Sequence, residues 1–385
     1  MTTKELSDKY LVPNYARQDI VLVKGKGSLL YDEDGTEYID FGSGIAVNGL
    51  GISPDEWQEE VINQIRTLPH ASNLYYSKPQ AILAEKLCNM TGFKRAFFCN
   101  SGAEANECAI KCARKYSFDK YGKGRSTIIT FVNSFHGRTM ATLTATAQDG
   151  MHDYFFPFLD GFKYLPAGDF DKFSEGVDGS VCAVMTEFVQ GEGGVIAQDR
   201  EFIKKVYDYC KKHDILFIAD EVQTGNGRTG KLYAYEHYEA KPDILTTAKG
   251  LGNGLPIGAV LMGDLVEYTL SAGTHGSTFG GNLVACGGAV KVLDKIDDKL
   301  LKGVVERSEY IKRELGVAGI EVSGLGLMLG ITCKDKNYVI KECLKRGLIV
   351  LSAKNKIRLL PALNIDMKLL EKGVKILKEV LLSEE

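Results

Sequence analysis

The stretch LFIADEVQTGNGRTGKLYAYEHYEAKPDILTTAKGLGNGLPIG, from Leu216 to Gly258, constrains the fold more than any other part of the chain. An uninterrupted apolar run, Leu216 to Ala219, stops at two carboxylates, Asp220 and Glu221. That is the pattern of a strand buried on both faces that carries acids to its C-terminal edge, the edge at which open α/β sheets bind ligands. A second short run of apolar and β-branched residues, Ile244 to Ala248, ends at Lys249 and the glycine-rich GLGNGLPIG. An acid and an amine therefore stand at the ends of two predicted strands. A lone lysine is most simply a solvated charge. Here the small neighbours Ala248 and Gly250, the glycines at 252 and 254 and the fixed exit at Pro256 describe a partly desolvated amine suited to Schiff-base chemistry.

The surrounding segments repeat the strand-then-helix rhythm of a parallel sheet with crossovers. Phe97 to Tyr116, FFCNSGAEANECAIKCARKY, reads as a strand, a polar turn and a helix. Ser101 is placed to cap that helix, with Glu104 three residues on as in a capping box. The free N–H groups of such a first turn form an anion site, although the cap by itself reads first as plain helix initiation. Ser126 to Ala147 gives a β-branched strand followed by Ser134-Phe-His-Gly-Arg-Thr139, and Val181 to Val195 another apolar strand ending near Glu187 and Glu192. Those two acids lack the setting of a glycosidase pair. Asp199 to His213 reads as the helix feeding the strand at Leu216.

At 385 residues the chain exceeds what one hydrophobic core serves, so two units are expected. Leu22 to Phe41 alternates around the turn Asp32 to Gly35 as a small meander, Ser43 to Gly51 is irregular, and Glu56 to Leu68 and Gln80 to Met90 are helical. Gly273 to Cys286 is a polar loop ahead of an apolar helix from Leu283. From about Leu293 the character becomes α+β: a charged helix Asp294 to Leu315, strands within Ile320 to Cys333, a helix Lys334 to Arg346, the segment Lys356 to Leu363 and an amphipathic C-terminal helix. The expected division is residues 1–45 as an N-terminal segment of the small domain, 46–290 as the large domain and 291–385 as the C-terminal small domain. A net charge of −3 without Lys/Arg runs argues against nucleic acid and anionic membrane as partners. The lack of an apolar leader or a run of about 18 apolar residues makes the cytoplasm the expected location. Of nine cysteines, Cys108 and Cys112 lie one helical turn apart without a histidine nearby, so free thiols rather than a metal site are expected.

ADEVQTGNGRTGK followed by PDILTTAKGLGNGLPIGAV resembles the centre of the class III pyridoxal-phosphate aminotransferases of the ornithine and acetylornithine type, and the likeness extends over nearly the whole chain. The resemblance implies an α/β protein of pyridoxal-phosphate transferase fold type I: a large domain with a mostly parallel sheet flanked by helices, plus a smaller α+β domain. It implies pyridoxal 5'-phosphate on Lys249 as a Schiff base. Asp220 would pair with the ring nitrogen, which makes the cofactor an electron sink. Glu221 and Val222 would neighbour the cofactor and Gln223 lie against the ring hydroxyl. Ser101, Gly102 and Ala103 would form the phosphate cup, and Phe135 would stack on the ring. Arg138 would take the substrate carboxylate, which suits its planar fork. Arg358 is the implied second carboxylate arginine, paired with Glu192 when no second acid is present; a strand-edge surface charge is the alternative. Thr278 would reach the phosphate of the neighbouring subunit and Ser277 lie near substrate, which requires a homodimer with a shared site. Lys249 is a better proton carrier than His136. The chain departs from the family at Ile52, where histidine is usual, and at Phe188 and Leu283, where proline is usual.

Relatives with SGIAV, FHGRT, GEGGV and HGSTFGGN act on N2-acetylornithine. The implied reaction is therefore its transamination with 2-oxoglutarate to N-acetylglutamate 5-semialdehyde and glutamate, in arginine biosynthesis. Transaminases of ornithine, 4-aminobutyrate and succinyldiaminopimelate share the cofactor residues, and pocket contacts worth only about 1 to 3 kcal/mol each separate them. A dehydrogenase would need its glycine fingerprint in the first crossover, where none stands. An aminomutase would share the cofactor residues and need no external acceptor, and a non-catalytic binding protein on this fold should have lost Lys249 or Asp220.

Overall fold

The meander expected near the N-terminus forms β1 (Leu22–Lys26), β2 (Leu29–Asp32) and β3 (Glu37–Asp40) in the computed structural model, which describes residues 1–384. The Asp32 carboxylate closes its turn by accepting the N–H groups of Asp34 and Thr36 at 3.1 and 2.8 Å. Helices Asp55–Thr67 and Lys78–Thr91 follow, each within two residues of the predicted bounds. The large sheet is then built from β4 (Arg95–Cys99), β5 (Thr127–Phe131), β6 (Phe162–Leu165) and β7 (Val181–Thr186). A short hairpin of β8 (Val189–Gln190) and β9 (Ile196–Ala197) intervenes. The sheet is completed by β10 (Leu216–Asp220), β11 (Ile244–Thr247) and β12 (Gly258–Met262).

The strand order is β4-β12-β11-β10-β7-β5-β6, parallel from β11 to β6, with β12 antiparallel to both neighbours. Every residue of β5, β7, β10 and β11 is buried, which is why these runs are apolar rather than alternating. On β10, Leu216 and Ile218 pack with Ala105, Cys108 and Ala109 of the helix Gly102–Tyr121. Phe217 and Ala219 face the opposite cluster, with Phe202 and Val206 of the helix Arg200–Lys212.

The apolar helix expected from Leu283 and the charged helix expected from Asp294 both form, with the break between them three residues later than expected. Leu283–Lys295 ends at Ile296, and Asp297 caps a new helix, Asp298–Gly316, by accepting the Leu300 N–H at 2.7 Å. The expected 290/291 boundary thus falls inside a helix whose Val292 and Leu293 belong to the core of the large unit. The C-terminal strands are β13 (Val322–Leu325), β14 (Met328–Thr332), β15 (Leu348–Ile349), β16 (Leu351–Ala353) and β17 (Lys356–Leu359). Four of them form a sheet ordered β13-β14-β17-β16, while β15 pairs in parallel with β3. That pairing draws the N-terminal meander into the C-terminal unit, where Ile39 and Phe41 share a core with Leu329, Ile357 and Leu377.

The three departures from the family pattern each have a local place. Ile52 bridges Gly27 through two backbone hydrogen bonds of 3.0 and 2.7 Å. Phe188 is fully buried against the rings of Tyr238 and Phe217. Leu283 opens a helix that Asn282 caps. Among the described residues no helix is long and apolar enough to cross a membrane, and no cluster of His, Cys, Asp and Glu gathers to hold a metal ion. All nine cysteines are unpaired.

Candidate active site

The ends of β10 and β11, with the turns after β4, β5 and β7, enclose a cavity of about 420 Å³. Asp220 ends β10 at its floor, only 4% exposed. One carboxylate oxygen accepts from Asn106 Nδ2 at 2.7 Å and His136 Nδ1 at 2.8 Å, and the other accepts the Val222 N–H at 3.1 Å. Asn106 is itself fixed, because its amide oxygen accepts the Thr246 hydroxyl at 2.7 Å. Three donors from three segments therefore set the orientation of this acid before any ligand arrives.

Lys249 follows β11 on a 3₁₀ turn, Lys249–Leu251, with φ of 42°, a left-handed conformation unusual for a residue with a side chain. Burial, and then the Arg358 guanidinium, push its amine down from 10.5 to about 8, against the opposing pull of Glu192, Asp220 and Glu187. An amine so placed gives up its proton far more readily near physiological pH than an ordinary lysine, as a nucleophile and proton carrier must.

The helix Gly102–Tyr121 points its first turn into the cavity. Ser101 caps it: its Oγ accepts the Glu104 N–H at 3.2 Å and its carbonyl the Ala105 N–H at 3.0 Å, which leaves the N–H groups of Gly102 and Ala103 for an anion. The capping box is only half made, since the Glu104 carboxylate reaches past the cap to the Asn100 N–H at 3.0 Å. Gly102 is a steric necessity, because a Cβ there would sit 2.6 Å from Val222 Cγ1.

Phe135 and Arg138 form one wall, with the guanidinium 5.6 Å from the ring centre. Arg358 approaches from the small unit. It lies on β17 between β14 and β16 and is 3% exposed, so the strand-edge reading does not hold. Its Nη1 donates to Glu192 Oε1 at 2.5 Å and to Gln223 Oε1 at 3.3 Å, while Nε is buried without a partner. The buried Arg228, of the sequence GNGRTG, ties this region to the large unit by donating to the carbonyls of Leu327 and Pro361 at 3.1 and 2.5 Å. Burial holds that guanidinium down at about 9, with Asp40 partly compensating.

Not every residue named from sequence faces the cavity. The Glu221 carboxylate turns away to accept the N–H groups of Ala234 and Tyr235 at 2.9 and 2.8 Å and the Thr224 hydroxyl. Alternation accounts for this, because neighbours at a strand end point to opposite sides. Val222 and Gln223 do line the cavity. Ser277 and Thr278 lie outside it: the Ser277 Oγ accepts from Asn100 Nδ2 at 3.2 Å, and Thr278 is exposed. Sequence reasoning passed over Val47 and Asn106 and gave Glu187 no role, and all three line it. Asn106 alone left a signal, as an amide among alanines and cysteines on a buried helical face.

An amine, a fixed acid, an aromatic ring and an anion-binding turn are the donor set pyridoxal phosphate requires. The cradle is shaped for a ligand that lies against bare backbone: a Cβ at Gly137 would meet the Ala103 Cβ at 2.9 Å, as one at Gly102 would meet Val222. The residues present therefore fit the cofactor.

Comparison with known proteins agrees. The family described as Aminotransferase class-III matches residues 11–381. Acetylornithine aminotransferase of Haemophilus ducreyi is 49% identical over 384 residues, covering 98% of each chain, and that of Caldanaerobacter subterraneus 44% identical over 383 residues, covering 97% of each. Among solved structures, ornithine aminotransferase of Toxoplasma gondii, in which PLP partly occupies the active site, superposes with a TM-score of 0.94 at 30% identity over 99% of this chain and 94% of that one. N-acetylornithine aminotransferase of Stenotrophomonas maltophilia gives 0.84 at 35% identity over 98% of both. The chain belongs to the class III aminotransferases.

Proposed function

We propose that this pyridoxal-phosphate-dependent aminotransferase moves the δ-amino group of N2-acetyl-L-ornithine to 2-oxoglutarate, as a cytoplasmic homodimer. The observation that carries the reading is the convergence of Lys249, Asp220 and the solvent-exposed Arg138 on one cavity, with a second arginine, Arg358, masked by Glu192 and bonded to Gln223 of the cavity wall. The names of the full-length relatives support the choice of donor. The likeness to ornithine aminotransferases keeps ornithine as the second reading.

Bound in this cavity, the cofactor supplies the carbonyl for amine exchange and the electron sink for the reacting carbon. The chain does the rest. Gly102 and Ala103 would hold the phosphate through their N–H groups, Phe135 would cover the ring, and Asp220 would pair with the ring nitrogen. Arg138 fixes the α-carboxylate of the donor, so that the far amine reaches Lys249. The Nζ of Lys249, with its lowered proton affinity, takes the proton from the reacting carbon and returns it. The amine-bearing end of the donor carries no carboxylate and leaves the Arg358–Glu192 pair closed, whereas the second carboxylate of 2-oxoglutarate competes with Glu192 for Arg358. The exposure of Thr278, and the position of Ser277 outside the cavity of its own chain, support a site completed across a two-fold dimer.

The test is the near-visible absorbance of the purified holoenzyme with N2-acetylornithine, ornithine, 4-aminobutyrate or succinyldiaminopimelate. Acetylornithine should bleach the cofactor band fastest, and 2-oxoglutarate should restore it. A band that answers only to another amine would overturn the substrate. A monomer by sedimentation that remains fully active would overturn the shared site.

A further inference from the structure

Glu187 follows β7, faces the cavity, is 7% exposed and, beyond its pull on the Lys249 amine, has no part in the roles above. Its two oxygens are divided between two segments. Oε2 accepts the Phe135 N–H at 2.8 Å, and Oε1 accepts the Gly191 N–H at 3.2 Å. Phe135 opens the turn that ends in Arg138, and Gly191 immediately precedes Glu192. Gly191 is confined as well, since a Cβ there would sit 2.6 Å from Gln223 Oε1, the oxygen that also accepts from Arg358. Away from the cavity the two segments are joined again, by Gln190 Nε2 donating to the Val132 carbonyl at 3.0 Å.

We propose that Glu187 is the positioning residue for the Glu192–Arg358 pair: by anchoring Gly191 to the Phe135 turn it holds Glu192 closed on Arg358, and so sets how readily the site admits a ligand with two carboxylates rather than one. A carboxylate suits the task because it offers an acceptor to each of two backbone donors. Glutamine offers one acceptor and turns an N–H₂ group toward the other donor, so one anchor is lost.

The inference rests on the two-arginine reading of diacid recognition, and its test separates the two. Binding of glutarate, a five-carbon diacid without a reactive carbonyl, and of valerate, its monoacid counterpart, is measured by calorimetry on the holoenzyme. In the wild type glutarate should bind more tightly than valerate, and Arg358→Leu should abolish the difference. If either fails, the diacid reading falls. In Glu187→Gln the ratio of glutarate to valerate affinity should rise about fivefold, the shift that one lost hydrogen bond of ordinary strength produces. Glu187→Asp keeps the acidic group but is too short to span both N–H groups, and it should move the ratio in the same direction. That variant separates anchoring from charge, and it stands in should Glu187→Gln not fold. A ratio unchanged in folded Glu187→Asp, or two affinities that move together, overturns the proposal while leaving the diacid reading in place.

Discussion

Replacing Lys249 by methionine should abolish transamination and at the same time stabilise the cofactor-free protein near neutral pH. Methionine keeps much of the volume of the side chain and removes the charge. The fall of the amine from 10.5 to about 8 means that the fold disfavours its protonated form by roughly 3 kcal/mol, at about 1.4 kcal/mol per tenfold change in proton affinity. Lys249 is partly open to the cavity, so solvent screening makes this figure an upper bound. The sign follows from linkage: between pH 8 and 10.5 the unfolded chain binds more protons at this position than the folded one, so stability rises with pH across that window. The penalty is full at pH 7, declines above 8 and is below about 1 kcal/mol by pH 10. Urea unfolding of cofactor-free wild type and Lys249→Met at pH 7 and pH 10 reads it directly. The variant should gain up to about 3 kcal/mol at the lower pH, and most of the gain should vanish at the higher. Equal stability at both pH values, or a variant less stable than wild type at pH 7, would refute the claim that this amine is held against its preferred charge.

Three further expectations bear on the site. Asp220→Asn should lower kcat at least about 100-fold, the scale of losing a fixed charge aimed at the reacting system, while circular dichroism shows the fold retained; a loss under tenfold would remove Asp220 from the chemistry. Gly102→Ala should weaken cofactor binding at least about tenfold, because the new Cβ meets Val222 at 2.6 Å, and adding Val222→Ala should restore much of it, as read by cofactor titration. Arg358→Leu should raise KM for 2-oxoglutarate about ten- to a hundredfold, as expected for a lost hydrogen bond to a charged group, with KM for the amine donor changed less than about threefold. Equal changes in both half-reactions would assign Arg358 to architecture instead.

How much of this was legible depended on what the sequence had to encode locally. Strands buried on both faces must be apolar throughout, so β5, β7, β10 and β11 stood out as runs, and the acid and lysine at their ends were found with them. The break at Ile296 was harder, because Asp297 caps a helix by one hydrogen bond within a segment, DKIDDK, that is also an ordinary helix surface. Glu221 was drawn in by adjacency to Asp220, although alternation sends it to the other side. Glu187 and Glu192 carry the same side chain and follow the same strand. The resemblance pairs Glu192 with the Arg358 guanidinium, as the fold does, but only the fold shows that Glu187 binds two backbone N–H groups. Arg358 was ambiguous by sequence alone because strand position within a sheet is a long-range property.

Least legible of all was the turn beneath Lys249. Ser43, Gly44, Ile45 and Ala46 take φ of 45, 61, 64 and 63°, a full left-handed turn that includes a β-branched residue. Left-handed backbone costs an L-residue roughly 1 to 2 kcal/mol, so the surroundings must impose it. They do so from both ends. Asp40 accepts the N–H groups of Gly42 and Ser43 at 2.8 Å each, and the Ala46 carbonyl lies 3.5 Å from where a Gly250 Cβ would be, immediately after Lys249. The turn also delivers Val47 to the cavity wall. The Ile45 side chain is 44% exposed, so strain rather than burial dominates its effect on the chain. Ile45→Asn, a residue that tolerates this region, should therefore raise the unfolding free energy by about 1 kcal/mol. If Ile45→Asn instead destabilises by a similar amount in the isolated subunit, the turn is held by its side chain and the account from backbone strain is wrong.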